Sequence, residues 1–596
     1  MAKLIIGYNK DNRSALIRIV DGQEGWAQIK RVCEDQSDQA RILQSNALEI
    51  PWWSFLSIRD SIKYNVRRYS LDLELSEETE TLLKKSRDIE RAYEQIIVPE
   101  KLTEEEIIEK LKDNGFERHL TGEQLRNVKR LLQYPAAANF SVCGSGKTTE
   151  ALAYFTLLKS HEDRLLIISP KNAFPVWEEQ ISECLPNHSL NITRLTGGES
   201  QILSLLDKKP NVALITYQQI LYVTNIIADY ILCFNIFLFL DESHRIKGGN
   251  NRVIPKTILS FSHLARRKLI MSGTPMPNAI TDLFSQFSFL YPEIKIDESN
   301  AKELFKPIFV RTTKSELGLP EIKRTLVPVQ MNEAQKHLYN LLCSEIVRQN
   351  QKELSSHDRN RLRAIGRSAL TLIQLVSNPT LLAKREFSNR ELLKAVLSEG
   401  DSPKLQYVTI RTRQLAQAGK KVIIWSSFVS NVELIASRLY DLGADFIHGG
   451  VEAGNEEEEN TREAKIKRFH DDPQCYVLVA NPAACGEGIS LHSVCHHAIY
   501  LDRNYNVAQY LQSEDRIHRL GLHKDTVTNV EILCCQDTVD ISVNNRLTLK
   551  AHKMGEVLND SDINISPITF DPDEYELDFD DIVNFIDHVK NVARSF

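Results

Sequence analysis

The sequence predicts an α/β protein in which parallel sheets are covered by helices on both faces. Strand-like segments with continuous apolar runs, at 164–170, 236–240, 421–426 and 476–480, alternate along the chain with helical segments. Continuous apolar strands that alternate with helices are typical of parallel sheets shielded on both sides. A chain of 596 residues is also too long for one hydrophobic core, so we expect about three to five domains.

The composition indicates a globular protein of an intracellular compartment. Hydrophobic residues make up 42% of the chain and charged residues 26%, which is ordinary for a soluble domain. No apolar run reaches the ~18–20 residues that span a bilayer, and the first residues lack a secretory signal. The ten cysteines form no C-x-x-C pair, so neither a disulfide framework nor a zinc site is expected. We expect the cytoplasm of a prokaryote or the nucleus of a eukaryote, and no membrane partner.

The formal net charge of −7 argues against a uniformly basic coat for nucleic acid. It does not exclude a basic groove on an acidic body, because binding depends on the local field. Acidic residues crowd positions 571–581 and define an acidic C-terminal tail, residues 557–596. Three roles for this tail stay open: disorder, mimicry of nucleic acid over a basic groove, or docking of a protein partner through its aromatic residues.

Residues 1–105 are predicted to form a small α+β accessory domain. Residues 3–8 and 15–20 resemble two strands joined by a polar turn, and helices are expected from Pro51 and over 77–97. The helix after Pro51 carries basic residues interleaved with tyrosines, which could contact nucleic acid. A packed amphipathic helix with a solvated basic face is the favoured interpretation. A protein partner of this domain is also conceivable. The residues concerned are Arg59, Lys63, Tyr64, Arg67, Arg68 and Tyr69.

The stretch 141–149 (SVCGSGKTT) has the context of a phosphate-binding loop, because it lies between a strand-like segment, 136–140, and a predicted helix, 150–159. Its glycines would let the backbone N–H groups point inward at an anion. Lys147 would reach the β- and γ-phosphates, and the Thr148 hydroxyl would bind Mg²⁺. The common pattern has glycine where this chain has Ser141, so a chance Gly/Ser-rich turn is the alternative. The predicted nucleotide-binding residues are Gly144, Ser145, Gly146, Lys147, Thr148 and Thr149.

Gln124 precedes this loop and is a candidate for reading the base of the nucleotide. Its amide can donate to and accept from an adenine edge in a complementary way. A surface glutamine alone would mean nothing, so the weight comes from its position before the loop.

Asp241-Glu242 directly follows the apolar strand 236–240, and ligands of parallel sheets bind at the carboxyl ends of strands. Asp241 would hold Mg²⁺, and Glu242 would polarise the water that attacks the γ-phosphate. His244 could couple this site to the next motif, 272–275. The alternative is an acidic strand end that caps the following helix.

The order of these motifs resembles helicase superfamily 2, and specifically its Swi/Snf-type ATPases. Residues 241–247 (DESHRIK) are similar to the Asp-Glu-x-His motif with its following Arg-x-Lys, and 272–278 (SGTPMPN) to the Thr-Gly-Thr-Pro motif. The segment 512–519 is close to the Gln-x-x-x-Arg-x-x-Arg motif. Other segments in the family order are 282–292, 311–314, 319–320, Gln335, Tyr339, 377–379, 402–405, 421–426, 476–480, 486–491, 497–502 and 538–540.

The resemblance covers roughly residues 115–550 and implies two RecA-like parallel-sheet lobes with helical insertions. The implied boundaries are 106–312 for the ATP-binding lobe, 313–398 for a helical bridge and 399–556 for the second lobe. ATP and Mg²⁺ are the implied cofactors. Ser141, Ser243 and Ser272 depart from the usual family residues but are small, and Gly521-Leu522 lacks a frequent glutamine. None of these departures removes a catalytic group.

The resemblance also implies which residues act from the second lobe and along the nucleic acid. Arg516 and Arg519 would supply arginine fingers in cis; their spacing of three would place them on one face of a helix, where surface salt bridging is the alternative. Gly488 is implied at the nucleotide. The candidate nucleic-acid contacts are Ser169, Lys171, Thr216 and Tyr217 in the first lobe and Ser426, His448 and Asn481 in the second.

The predicted function is an ATP-dependent translocase on double-stranded DNA without sequence preference. Two alternatives stay open: a helicase that separates strands of DNA or RNA, and a nucleic-acid-binding scaffold without turnover. Genome maintenance or defence is expected by analogy of fold alone.

Overall fold

The structure is a computed structural model whose chain divides into two compact units. The first unit contains Met1–Met276 and Ile280–Thr312, and the second contains Pro277–Ala279 and Thr313–Phe596. The residues that the structure describes are 2–37, 39–95, 102–186, 190–248, 252–350, 359–384, 389–452, 460–485, 490–560, 562–563 and 579–595.

The N-terminal part of the first unit has its own five-stranded sheet and hydrophobic core. Its elements are β1 (Lys3–Asn9), β2 (Ser14–Val20), α1 (Trp26–Gln36), β3 (Arg41–Gln44), β4 (Ala47–Pro51), α2 (Trp52–Arg68), β5 (Asp72–Leu75) and α3 (Glu77–Glu94). The strand order is β3-β4-β2-β1-β5. Helix α2 buries Trp52, Phe55 and Ile62 in this core and exposes Lys63 and Arg67, as expected for a packed helix with a solvated basic face.

This α+β part packs against the rest of the first unit through polar contacts at both ends of its fold. The Tyr8 hydroxyl lies 2.8 Å from Nε2 of His263. The ammonium of Lys85 donates to three successive carbonyls, 263–265, at 3.2 to 3.4 Å, and the Tyr93 hydroxyl donates to the Leu304 carbonyl at 2.8 Å. The accessory part is therefore fixed on its neighbour, and the boundary at residue 105 stays a prediction.

The remainder of the first unit is a seven-stranded, wholly parallel sheet covered by helices. Its elements are α4 (Glu104–Asp113), α5 (Gly122–Leu131), β6 (Ala136–Asn139), α6 (Lys147–Leu158), β7 (Arg164–Ile168), α7 (Phe174–Cys184), β8 (Ile192–Arg194), α8 (Glu199–Leu206), β9 (Val212–Ile215), α9 (Thr224–Cys233), β10 (Ile236–Asp241), α10 (Val253–Phe261), β11 (Arg267–Met271), α11 (Asp282–Leu290), α12 (Ala301–Phe305) and β12 (Phe309–Val310).

The strand order β12-β6-β11-β10-β7-β9-β8 determines where the site lies. β11 stands between β6 and β10, and in register Met271 pairs with Asn139 on one side and with Asp241 on the other. The carboxyl ends of these three strands therefore share one edge of the sheet. The segments that follow them, after Asn139, Asp241 and Met271, leave the sheet side by side.

The second unit contains a six-stranded parallel sheet in the order β13-β18-β17-β14-β16-β15. Its elements are β13 (Ile322–Val329), α13 (Glu333–Asn350), α14 (Arg359–Ser377), α15 (Arg390–Ser398), α16 (Pro403–Gln417), β14 (Lys421–Trp425), α17 (Val429–Arg438), β15 (Asp445–Ile447), α18 (Arg462–Asp471), β16 (Val477–Ala480), α19 (Pro482–Cys485), β17 (Cys495–Tyr500), α20 (Val507–Glu514), β18 (Thr528–Cys535), α21 (Val539–Leu558) and α22 (Phe579–Ser595). The predicted fold class, two parallel-sheet lobes with helical insertions, is confirmed.

The acidic tail is used in part by the second unit itself. Helix α22 buries Phe585 and Asp581 against the unit, so these two side chains do not serve an outside partner. Residues 564–578, which include most of the acidic run 571–581, lie outside the described residues. Within the ranges that the structure describes, no helix has the length and hydropathy needed to cross a membrane.

Candidate nucleotide-binding site

The predicted phosphate loop joins β6 to α6. Gly144 and Gly146 have φ values of 86° and 88°, a left-handed backbone that glycine adopts without steric cost. Helix α6 begins at Lys147, three residues before its predicted start. Lys147 and Thr148 therefore lie in its first turn, where unpaired backbone N–H groups and the helix dipole attract an anion.

Lys147 is folded back over the beginning of the loop. Its ammonium donates to the carbonyl of Ser141 at 3.0 Å and to that of Val142 at 3.2 Å. A lysine placed across a glycine-containing loop at a helix start is the arrangement that binds phosphate oxygens. The structure thus places Lys147 where the sequence predicts it.

Gln124 reaches the phosphate loop directly. It is the third residue of α5, and its Oε1 accepts a hydrogen bond from the Thr121 N–H at 3.1 Å while its Nε2 donates to the Ser145 carbonyl at 3.0 Å. A Cβ added at Gly146 would lie 2.3 Å from that Nε2. The left-handed backbone of Gly146 and this close approach together favour glycine at the position. The Gln124 amide thus lies beside the loop, and its contact with a base stays a prediction.

Asp241 ends β10 at the same sheet edge, and neighbours hold it from three sides. Its Oδ2 accepts from Nε1 of Trp177 at 3.0 Å, its Oδ1 from the Glu242 N–H at 2.9 Å, and its carbonyl from the Tyr217 hydroxyl at 2.7 Å. Trp177 was missed as a site residue by sequence reasoning, because nothing local links α7 to a strand 64 positions later.

Glu242 has a left-handed backbone, with φ 50° and ψ 53°, which is costly for a residue with a side chain and is often found at functional sites. His244 Nδ1 lies 3.3 Å from Glu242 Oε2 and 3.1 Å from the Ser272 hydroxyl, which confirms the predicted link between the two motifs. Burial opposes ionisation of Glu242, but the hydrogen bond and charge of His244 and the charges of Lys147 and Arg245 outweigh it and lower the pKa of this carboxyl. Glu242 is therefore ionised at neutral pH, as a general base must be.

The segment after β11 packs against the phosphate loop. A Cβ at Gly273 would lie 2.9 Å from Sγ of Cys143 and 3.7 Å from Nζ of Lys147. Two buried hydroxyls of this region, those of Ser145 and Thr274, have no hydrogen-bond partner among the residues that the structure describes. Buried polar atoms are normally satisfied, so these hydroxyls suit a polar ligand.

Thr148 and Thr149, the last two residues of the predicted phosphate loop, have different surroundings. The Thr149 hydroxyl donates to Oε1 of Gln180 at 3.0 Å and is almost fully buried, so its side chain anchors α6 to α7. Thr148 and Asp241 offer the hydroxyl and carboxylate oxygens that Mg²⁺ prefers. In the part of the chain that the structure describes, no group of three or more His, Cys, Asp or Glu could hold a metal. A magnesium ion here would therefore take its other ligands from water and phosphate oxygens.

In the second unit, Arg516 and Arg519 follow α20, which ends at Glu514. The expectation that they share a helix face is wrong, because the chain leaves the helix before it reaches them. Arg516 is buried, and its Nε donates to the Gln512 carbonyl at 3.0 Å. Arg519 is half-buried.

Two ion pairs hold the residues just before Arg516. Arg324 binds both carboxylate oxygens of Glu514 at 2.8 Å, and Lys314 lies 2.5 Å from Asp515. Both pairs are largely buried within the second unit, which fixes the backbone that carries Arg516. Sequence reasoning did not identify these supports, because their partners are far apart in the chain.

The candidate nucleic-acid contacts fall into two groups. The first-unit side chains of Ser169 and Tyr217 are fully buried, and that of Ser426 in the second unit is buried and donates to Asp502 at 2.5 Å. The structure does not support direct contact through these three; they brace strand ends instead. Gly488 lies outside the described residues.

The other candidates are more accessible or belong to loop turns. Lys171 is exposed and Thr216 half-buried, with its hydroxyl accepting from the Gln219 N–H at 3.0 Å. His448 is half-buried, whereas Asn481 is buried and donates to the Ser427 carbonyl at 2.9 Å. Contact of these residues with nucleic acid stays a prediction.

The fold and the site define a class. In this parallel sheet a phosphate loop follows β6 and an Asp-Glu pair follows β10, with β11 between the two strands. Nucleoside-triphosphate hydrolases have this arrangement.

Comparison with family models identifies the family. The SNF2-related domain matches residues 142–380, and the helicase conserved C-terminal domain matches residues 404–521. Together the two matches cover more than half of the chain. The protein belongs to the Snf2-type, helicase-like ATPases of helicase superfamily 2.

Curated relatives are chromatin-remodelling proteins of low identity. The probable chromatin-remodeling complex ATPase chain of rice is 26% identical over 345 residues, which are 52% of this chain and 28% of the relative. Chromatin remodeling factor mit1 of Schizosaccharomyces pombe is 24% identical over 67% of this chain and 30% of its own. The ISWI chromatin-remodeling complex ATPase ISW1 of Saccharomyces cerevisiae is 25% identical over 68% of this chain and 37% of its own. The chain thus spans about a third of the length of these relatives.

Solved structures with similarity include the SWI2/SNF2 ATPase core of Sulfolobus solfataricus in complex with dsDNA. It is 22% identical, with a TM-score of 0.32, over 75% of this chain and 95% of that one. The SWI2/SNF2 ATPase core domain of the same organism has a TM-score of 0.31 at 22% identity, over 76% of this chain and 93% of that one. Scores this low support no argument from superposition.

Proposed function

We propose that the protein is an ATP-driven translocase on double-stranded DNA. The observation that carries the proposal is the gathering of Gln124, Lys147, Asp241 and Glu242 at one sheet edge in a chain of the Snf2 family. The curated relatives are named as ATPases of chromatin-remodelling complexes. This chain spans only part of the length of these relatives, so a DNA substrate is our proposal for it.

The proposed chemistry in the first unit is hydrolysis of the γ-phosphate of ATP. Lys147 would leave the Ser141 and Val142 carbonyls to bind the β- and γ-phosphate oxygens, and Gln124 would contact the adenine edge. Glu242, kept ionised by His244, would orient the attacking water and accept its proton. Mg²⁺, held by Thr148 and Asp241, would neutralise developing charge on the phosphate oxygens.

The second unit would supply Arg516 and Arg519 to the same γ-phosphate. An arginine finger contributes on the order of 10³–10⁵ in rate, so turnover would depend on both units. The buried pairs Arg324–Glu514 and Lys314–Asp515 favour this role, because a finger must be held in a fixed geometry to stabilise a transition state.

Double-stranded DNA would be contacted mainly at its phosphates, with Lys171, Thr216 and His448 as candidates. Phosphate contacts carry no sequence information, so we expect little sequence preference. Neutralising phosphates releases counterions, so the affinity should fall steeply with salt. The net charge of −7 makes a local basic surface, and not the whole molecule, responsible for binding.

Two alternatives predict different behaviour. A strand-separating helicase would displace a strand from a forked duplex of DNA or RNA, whereas a translocase would move without unwinding. A scaffold without turnover would bind nucleic acid and leave ATP intact, but family membership and the presence of Lys147, Glu242, Arg516 and Arg519 argue against it.

The cellular setting that we propose is genome maintenance or defence, in the compartment that holds the DNA. The support is analogy of fold alone. A protein partner could dock on the N-terminal accessory part or on the acidic tail.

The test is ATP hydrolysis measured with and without duplex DNA. We expect duplex DNA to raise kcat by at least about tenfold, and Lys147→Ala to abolish turnover with either substrate mixture. Single-stranded DNA and RNA of equal length serve as controls. Equal rates with and without any nucleic acid would refute the proposal, and preferential stimulation by RNA would redirect it to an RNA substrate.

A further inference from the structure

The position that departs from the common phosphate-loop pattern, Ser141, has a specific partner. Its side chain is fully buried, and its hydroxyl oxygen accepts the backbone N–H of Thr312 at 2.9 Å. A glycine at this position could not accept that hydrogen bond. The serine therefore ties the start of the loop to a residue 171 positions later.

Thr312 is the residue at which the chain leaves the first unit, since the second unit resumes at Thr313. Besides the bond to Ser141, its carbonyl accepts the Val142 N–H at 3.1 Å. Its hydroxyl oxygen accepts from Nδ2 of Asn127 at 2.8 Å. All three polar groups of Thr312 are thus engaged by the phosphate loop or by the helix beside it.

Asn127 extends these bonds to the two elements that flank the loop. Its Nδ2 also donates to Oε1 of Glu150, in α6, at 3.0 Å. The second oxygen of Glu150 accepts from the side-chain amide of Asn139, and Oδ1 of Asn139 accepts the Ser141 N–H at 3.1 Å. These five buried residues, called the loop brace below, are Asn127, Asn139, Ser141, Glu150 and Thr312.

The brace meets the lysine of the loop at Ser141. Lys147 donates to the carbonyls of Ser141 and Val142, the residues that hold Thr312. When Lys147 turns to a phosphate, the Ser141 carbonyl loses the charge of the lysine. The N–H of the same peptide group, that of Val142, donates to the Thr312 carbonyl, so the strength of that hydrogen bond changes. Buried polar groups are not free to lose partners, so the change passes to Thr312.

We propose that the loop brace couples nucleotide binding at the phosphate loop to the segment 310–312, through which the chain enters the second unit. Its members are positioning residues: none needs to touch the nucleotide. The inference rests on the proposed function only in taking a nucleoside triphosphate as the ligand of the loop.

A pair of neighbouring substitutions tests the coupling. Thr312→Val keeps the shape and backbone bonds of the residue but removes the oxygen that accepts from Asn127. Thr313→Val is the matched control, because the Thr313 hydroxyl bonds to Ser315 and to the Glu316 N–H, outside the brace. Ser141→Ala, which removes the acceptor for the Thr312 N–H, is the second test variant should Thr312→Val fold poorly.

The first readout is amide hydrogen exchange of peptides covering 308–313 in the full chain, with and without a non-hydrolysable ATP analogue. In wild type and Thr313→Val, adding the analogue should slow amide exchange about tenfold. In Thr312→Val and Ser141→Ala, the analogue should slow exchange by less than about twofold. Affinity for a fluorescent analogue should stay within about threefold of wild type in Thr312→Val and Thr313→Val, neither of which lies in the phosphate loop. Thermal melts exclude global unfolding.

The second readout separates binding from turnover. With duplex DNA present, Thr312→Val should lower kcat by about tenfold while KM for ATP changes by less than about threefold. Unchanged exchange in wild type on adding the analogue, or an equal response in Thr312→Val and Thr313→Val, would overturn the coupling. Normal exchange behaviour without any stimulation by DNA would leave the brace standing and refute the DNA translocase instead.

Discussion

Asp581 of α22 carries a stability prediction that follows from its burial. Its carboxylate is wholly buried, and it accepts from Nε of Arg546 and Nζ of Lys550 at 2.6 Å each. Both cations belong to α21 and are themselves almost inaccessible to solvent. The Asp581 carboxylate is therefore shared by two buried cations of the neighbouring helix.

Asp581→Ala should destabilise the second unit strongly. Removing one member of a buried ion pair costs about 3–5 kcal/mol, because the remaining charge keeps its desolvation penalty. Here the substitution removes the carboxylate from two cations, which places the cost in the upper part of that range. At about 2 °C per kcal/mol for a unit of this size, a cost of about 4–5 kcal/mol should lower the apparent melting temperature by about 8–10 °C.

The assay is a thermal melt of the full chain at a fixed scan rate, with Asp587→Ala as the control. Asp587 lies on the same helix but is exposed, so its replacement should change the melting temperature by less than about 2 °C. A loss of less than about 1 kcal/mol in Asp581→Ala would refute the view that this pair fixes α22.

Three further predictions concern the first unit. Gly146→Ala should weaken nucleotide affinity by about tenfold in a fluorescent-nucleotide titration, because its Cβ would meet the Gln124 amide at 2.3 Å on a left-handed backbone; Gly122→Ala, where a Cβ meets nothing within 4 Å, should bind normally. Glu242→Gln should lower kcat by at least about 10² while nucleotide remains bound, and wild-type turnover in this variant would remove the proposed base. Burial and the charges of Lys85, Lys268 and Arg13 hold the pKa of His263 well below 6.5, so the unfolded chain binds a proton that the native chain does not. The free energy of unfolding should therefore fall as the pH drops below 6.5, by up to about 1.4 kcal/mol per pH unit, and His263→Gln should flatten that slope in urea titrations at several pH values.

The parts of the fold that follow from local sequence were predicted well. The apolar segments became buried strands, and the glycines of the phosphate loop, the Asp241-Glu242 pair and the start of α2 after Pro51 each depend on neighbours within a few residues. Periodicity, glycine and proline report such local constraints directly.

The parts that failed depend on partners distant in the chain. Helix α20 ends before Arg516 where Arg324 and Lys314 hold Glu514 and Asp515, and no local signal reports that capture. The sequence shows Ser141 only as a departure from the phosphate-loop pattern. The structure shows that its hydroxyl accepts a hydrogen bond from the Thr312 N–H. In both cases tertiary contacts decide the local structure, which a linear pattern does not contain.

Movement along duplex DNA is the central claim, and triplex displacement measures it most directly. A third strand bound to a duplex should be released only with ATP and should remain in place with Lys147→Ala. A forked duplex without a third strand should stay paired under the same conditions. Release of the forked strand would indicate a helicase, and retention of the triplex despite ATP hydrolysis would contradict translocation.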